Sequence, residues 1–163
     1  MASMGDEVKQ WVKVGEGLFA SPTRLPAPQS KAALLKWQKE VEQASILSKR
    51  GHTVYLVSED GPGKHYDALV DGRACEMKTV QGNIGTVGKN FTRALKQGRD
   101  VFLRVKTETT AKRVYSKLVG STKVLLENGA VLQKGRLVYL WLDAEETLHL
   151  WCVDKIIQAT RRT

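Results

Sequence analysis

Apolar positions along the chain switch between two periods, and the switches divide it into elements. In SKAALLKWQKEVEQASILSKRG, Leu34, Trp37, Val41, Ala44 and Leu47 recur at the spacing that aligns side chains on one helix face. Ser30 stands where a cap accepts free backbone N–H groups, and Gly51, after Lys49 and Arg50, marks the stop. TVYLV (53–57) is β-branched and aromatic, which predicts a buried strand, and SEDGPGKH follows as a turn-forming loop. YDALVDGRACEMK reads as two short strands, 66–70 and 73–78, joined by DG. After the glycine-containing loop VQGNIG, TVGKNFTRALKQG predicts a helix ending at Gly98, and DVFLRV (100–105) a fourth strand. TTAKRVYSKLVGSTKVLLENG has a helical pattern with an expected break near Gly120. RLVYLWLD and TLHLWCVD predict a C-terminal β-hairpin, and a short basic helix closes the chain.

This order predicts an α/β fold, a mixed sheet with helices on both faces. Residues 1–29 have weak periodicity and are punctuated by Gly15, Gly17, Pro22, Pro26 and Pro28. They read as a linker or extended arm, with Trp11 and Phe19 as anchors, and the domain proper runs from 30 to 163. The leading MASMG takes no part in the predicted fold.

Composition adds a partner class. A chain of 163 residues can enclose one good core, and 42% hydrophobic with 26% charged residues fits a soluble globular protein. Its 26 Lys and Arg outnumber 17 Asp and Glu, a net charge of +9, which points to a polyanion. Nucleic acid is the first candidate, an acidic protein surface the second and an anionic membrane the third. Cys75 and Cys152 show no CxxC or metal-ligand spacing and read as reduced thiols in a cytosolic setting. No apolar run approaches the ~18 residues of a membrane span, and no signal-peptide core is seen at the N-terminus.

Asp71-Gly72 changes the picture most. DG favours a two-residue type I′ turn, which would pair Val70 with Arg73, Leu69 with Ala74, Ala68 with Cys75 and Asp67 with Glu76. Strand alternation then puts Asp67, Glu76 and Lys78 on one face, and Tyr66, Ala68, Val70, Cys75 and Met77 on the core side. Two facing carboxylates repel, unless an oxygen-ligated cation bridges them across the ~5 Å between their Cβ atoms. A lysine beside such a cation is placed to orient a water or to stabilise charge developing on a phosphate. A charged, solvated sheet face with a Lys78–Glu76 contact is the alternative, and a slip of one residue would separate the acids.

Asp67 followed by EMK at 76–78 on the next strand resembles the signature of the PD-(D/E)XK phosphodiesterase superfamily. The preceding EVEQASILSKRGHTVYLV is similar to that superfamily's opening helix, with Glu40, Ala44, Leu47 and Gly51 at the matching places. FTRALKQGRDVFLRV resembles the helix after the lysine strand, with Gln97 where a glutamine often lines the site. No proline precedes Asp67, where His65-Tyr66 stands, and the last third of the chain carries no resemblance. Within the superfamily, the stretch from about 40 to 105 is most like nuclease toxin domains of contact-dependent growth inhibition and related polymorphic toxins, many of which cleave tRNA.

The resemblance implies a restriction-endonuclease-like core and metal-dependent cleavage of phosphodiester bonds, with tRNA favoured over DNA. It implies that Asp67, Glu76, the Met77 backbone carbonyl and Glu40 hold Mg2+, with Mn2+ or Zn2+ as alternatives. Lys78 would position or activate the water, and Gln97 would orient the substrate or Lys78. It further implies an acidic immunity protein as partner and action in a target cell's cytoplasm after delivery as part of a larger toxin. Glu42 competes with Glu40 for its role. Lys89, Arg93, Lys96, Arg99, Lys112 and Arg113 crowd one segment and form the expected phosphate footprint. His65 is a candidate proton carrier, and Trp141 and Trp151 read as packing for the second hairpin. Two other readings stay open: a non-catalytic basic nucleic-acid-binding domain, and a module that binds an acidic protein.

Overall fold

The chain folds as a mixed α/β protein. The computed structural model describes residues 11–25, 30–57 and 66–162. They fall into two compact units, Met1–Cys75 and Glu76–Thr163. The expected loop 58–65, with His65, lies outside the described residues.

In the first unit the strands are β1 (Val12–Gly15), β2 (Leu18–Ala20), β3 (Val54–Leu56), β4 (Ala68–Val70) and the start of β5 (Arg73–Val80). Spatial order follows chain order. β2 and β3 pair in parallel, with Leu18 opposite Val54, and the other neighbours pair antiparallel. The segment read as an arm therefore contributes two strands. Short Gly-interrupted strands give too weak an alternation to stand out, and β2 gains its order from a partner distant in sequence. Trp11 and Phe19 do act as anchors, both packing on Tyr55, with ring centroids 5.0 and 4.8 Å away.

Helix α1 (Lys31–Ser48) packs on β2 and β3. Its Ser30 cap accepts the Ala33 N–H at 3.1 Å, and Gly51 takes the left-handed φ of 92° as the chain leaves the helix. Only the second half of its apolar stripe is fully used: Ala44 and Leu47 are buried, whereas Leu34 is 45% exposed. With Leu18, Ala20, Val54, Leu56, Ala68, Val70 and Cys75 they make the first unit's core.

The second unit holds the rest of β5, then α2 (Thr86–Lys96), β6 (Asp100–Val105), α3 (Ala111–Glu127), β7 (Leu137–Leu142), β8 (Thr147–Cys152) and α4 (Val153–Thr160). β7 runs parallel to β6 and antiparallel to β8, so the C-terminal hairpin forms as expected. β5 and β6 meet at their C-terminal ends, where Lys106 N–H donates to the Val80 carbonyl at 2.9 Å. Val101, Leu103, Val105, Val138, Leu140 and Leu142 present one apolar sheet face to the buried sides of α2, α3 and α4. Trp151 packs edge-on against Tyr115 of α3 at 5.0 Å, while Trp141 stands opposite Leu148, so each tryptophan serves the packing separately.

Two glycines in this layer behave differently. A side chain at Gly88 of α2 would strike Ser121 Oγ at 2.2 Å, so this glycine is what lets α2 approach α3 closely. The break expected at Gly120 does not occur, and α3 runs unbroken through it. The i→i−4 ladder tolerates a glycine at a cost of roughly 1 kcal/mol relative to alanine, and the flanking apolar positions outweigh that. Thr110 caps α3 by accepting the Arg113 N–H at 3.2 Å.

Candidate active site

The turn forms in the expected register. Asp71 and Gly72 both take positive φ, 51° and 81°, which defines the type I′ hairpin. It pairs Val70 with Arg73, Leu69 with Ala74 and Ala68 with Cys75. Ala68, Val70 and Cys75 are fully buried and Met77 is 9% exposed, as the core-side assignment requires. The turn is also held from outside: Asp71 accepts His52 Nδ1–H at 2.7 Å and Thr53 N–H at 2.9 Å. Burial pushes the Asp71 carboxyl up, but the hydrogen bonds from His52 and Thr53 and the His52 charge outweigh that and hold it below its ordinary pKa.

The candidate residues fall in both units. In the first, Asp67 is half-buried immediately before β4. Glu40 lies on α1, where its carboxylate meets Arg24 at 3.1 Å, with the Arg24 side chain only 5% exposed. Arg24, from the 3-10 turn Pro22–Arg24, lies in the segment read as an arm and carried no sequence signal. The Glu40 carboxylate, one turn before buried Ala44, takes this buried cation as its counter-ion.

In the second unit, Glu76 and Lys78 stand two apart on β5 and share a side by strand alternation, with Met77 between them pointing the other way. Glu76 is buried at 8% exposure, and its Oε1 accepts a hydrogen bond from Arg99 Nη1. The same Nη1 lies 3.3 Å from Gln97 Oε1 at the C-cap of α2. Glu76, Arg99 and Gln97 are therefore one cluster. Arg99 is the departure from expectation: read as a phosphate contact, it is 8% exposed and is spent on a carboxylate. Position explains this. Arg99 directly precedes β6, which inserts into the sheet and carries the residue into the interior. Lys89, Arg93 and Lys96 are exposed on α2, opposite buried Val87, Phe91 and Ala94, and Lys112 and Arg113 are exposed in the first turn of α3.

The donors suit a hard cation in kind. Mg2+ is commonly held by one or two carboxylates with water completing its shell, and Mn2+ accepts the same oxygens. Burying Glu76 without positive charge would be costly, and the Arg99 guanidinium supplies that charge here. Among the described residues no group of three or more His, Cys, Asp or Glu gathers to hold a metal, so an ion would depend on few carboxylates and much water. Both cysteines are free, Cys75 buried and Cys152 partly so. No helix among the described residues is long and apolar enough to cross a membrane.

No family model and no curated protein matches the chain. Its fold is similar to that of a chain in the CdiA-CT/CdiI toxin and immunity complex from Burkholderia pseudomallei, with a TM-score of 0.54 and 14% identity. The likeness covers 83% of this chain and 98% of that one, and at this identity it shows a shared fold.

Proposed function

We propose that the protein is a metal-dependent endonuclease, the toxin domain of a bacterial toxin–immunity pair, with tRNA as its favoured substrate. The observation that carries this reading is the hairpin turn. Its two-residue length and observed pairs leave Asp67 next in sequence before Ala68 and Glu76 next after Cys75. In this reading Asp67, Glu76 and the Met77 carbonyl hold the ion, preferably Mg2+, with Mn2+ or Zn2+ able to replace it. Bound there, the ion would supply Lewis-acid stabilisation of the phosphate and lower the pKa of a water. Lys78 orients that water and stabilises charge on the phosphate oxygens. Gln97 holds Arg99 in place beside Glu76. Glu40 would join the shell through a carboxylate that also pairs with Arg24.

The shared fold supports a place in a toxin–immunity pair, and charge supports the toxin side. A chain of net charge +9 suits a nuclease, whose phosphate backbone substrate is polyanionic, and calls for an acidic immunity protein. Delivery into a target cell and action in its cytoplasm follow from the same reading. DNA cleavage is the alternative chemistry on the same residues.

Incubation with total RNA and with plasmid DNA, in Mg2+, Mn2+, Zn2+ or chelator, tests this. A discrete tRNA fragment that disappears with chelator is expected, and Glu76→Gln or Lys78→Ala should slow it by about 100-fold or more. Variants that cut as fast as the parent would falsify the nuclease reading, and smearing of DNA alone would remove tRNA as the substrate.

A further inference from the structure

One exposed face of α3 forms an open trough of about 660 Å³. Lys112, Arg113 and Lys117 line one part of it, Ser116, Gly120 and Ser121 the middle, and Val124 the far end. The lining has three cations, two hydroxyls and no carboxylate. At its middle, Gly120 sits inside an unbroken helix, and beyond its chain neighbours and the helix's own backbone nothing lies within 4 Å of where its side chain would be. Helix packing does not explain this residue, as it does Gly88 on the neighbouring helix. An exposed interior glycine weakens a helix, so close approach by something outside the fold is the remaining physical use for it.

We propose that this trough binds the sugar–phosphate backbone of RNA. Gly120 lets the strand lie against the helix backbone. Lys112, Arg113 and Lys117 neutralise successive phosphates, and Ser116 and Ser121 donate hydroxyl hydrogen bonds to their oxygens. Lys112 and Arg113 stand in the first turn of α3 and Lys117 about one turn, roughly 5.4 Å, further along the axis, so the trough follows a strand rather than gripping one phosphate. It separates the basic residues by role, since Arg99 is engaged with Glu76 and these three face solvent. The choice of RNA rests on the nuclease reading, but binding itself requires no turnover.

The test is binding of fluorescently labelled tRNA in chelator, followed by anisotropy across a salt series. Gly120→Leu fills the trough and removes a helix-weakening glycine, so its melting temperature should equal or exceed the parent's. Its affinity for tRNA should nevertheless fall about tenfold or more, the scale of one charge-assisted hydrogen bond. Lys112→Ala/Lys117→Ala should weaken binding and flatten the salt dependence by about 0.7 in slope for each phosphate left without its cation. Parental tRNA affinity in both variants overturns the proposal. So does an equal loss for poly-glutamate, which assigns the trough to an acidic polypeptide, or tighter binding of duplex DNA than of tRNA. A protein that binds tRNA through the trough but never cuts it would sink the nuclease reading and leave this one standing.

Discussion

Glu40 and Glu76 both occupy sequence positions that suggest metal ligands, and the fold gives both the same kind of partner in different settings. Glu40 projects from a helix, is about one-fifth exposed, and meets an arginine from an irregular segment. Glu76 projects from a strand, is nine-tenths buried with its arginine, and shares that arginine with Gln97. An arginine beside a carboxylate thus has two meanings. At Glu40 the guanidinium is the buried member, and water reaches the carboxylate. At Glu76 both members are buried, and the arginine supplies positive charge beside the carboxylate.

Removing the arginines breaks the comparison most sharply. Arg99→Ala takes a buried guanidinium away from Glu76, and chemical denaturation should show a loss of about 3–5 kcal/mol. If Glu76 belongs to a cation site, Mg2+ or Mn2+ should restore part of that loss, giving Arg99→Ala a larger rise in melting temperature than the parent. An equal rise in both proteins would mean that the guanidinium is purely structural. Glu40→Gln should cost less, about 2 kcal/mol, because the amide oxygen still accepts from Arg24, whereas Arg99→Ala removes the donor altogether. A cost at Glu40 matching that of Arg99→Ala would erase the distinction between the two acids.

What is legible in the chain follows the reach of each interaction. The hairpin is readable because Asp-Gly dictates its own backbone angles, and three observed cross-strand pairs follow from that choice. The capped helix at Ser30 and strand β6 are readable for the same local reason. Strands β1 and β2 are not, because both are short and β2 takes its order from a parallel partner more than thirty residues on, which no local pattern records. The site shows the same division. Glu76 and Lys78 are picked out by their spacing from the turn, and Gln97 by the resemblance of its helix. Arg99 belongs to a different environment from the one its neighbours in sequence suggest, because a charge count cannot tell a helix surface from the residue that leads into a buried strand. The expected break at Gly120 fails because a glycine weakens a helix without ending one, and its purpose becomes visible only when nothing is found packed over it.

The hairpin itself offers a third held acid and the smallest expected effect. Asp71 is more exposed than either glutamate, at 44% of its side chain, and is held by a histidine and a backbone N–H rather than by an arginine. Its pKa lies below the ordinary value in the folded protein, so folding favours the ionised form. The resulting stability is fully present above the unfolded carboxyl value, about 4, and is lost as pH falls through the lower folded value. Asp71→Asn keeps an oxygen for the Thr53 N–H and a residue type that accepts positive φ, while removing the charge that His52 meets. Near neutral pH the variant should therefore be less stable than the parent, by a small margin because the pair is largely exposed. Denaturation midpoints measured from pH 7 down to pH 3 should show the parent losing more stability than Asp71→Asn, so that the two curves converge in acid. Parallel curves across that range would show that the turn is held by its backbone angles alone, with the carboxylate contributing nothing through its charge.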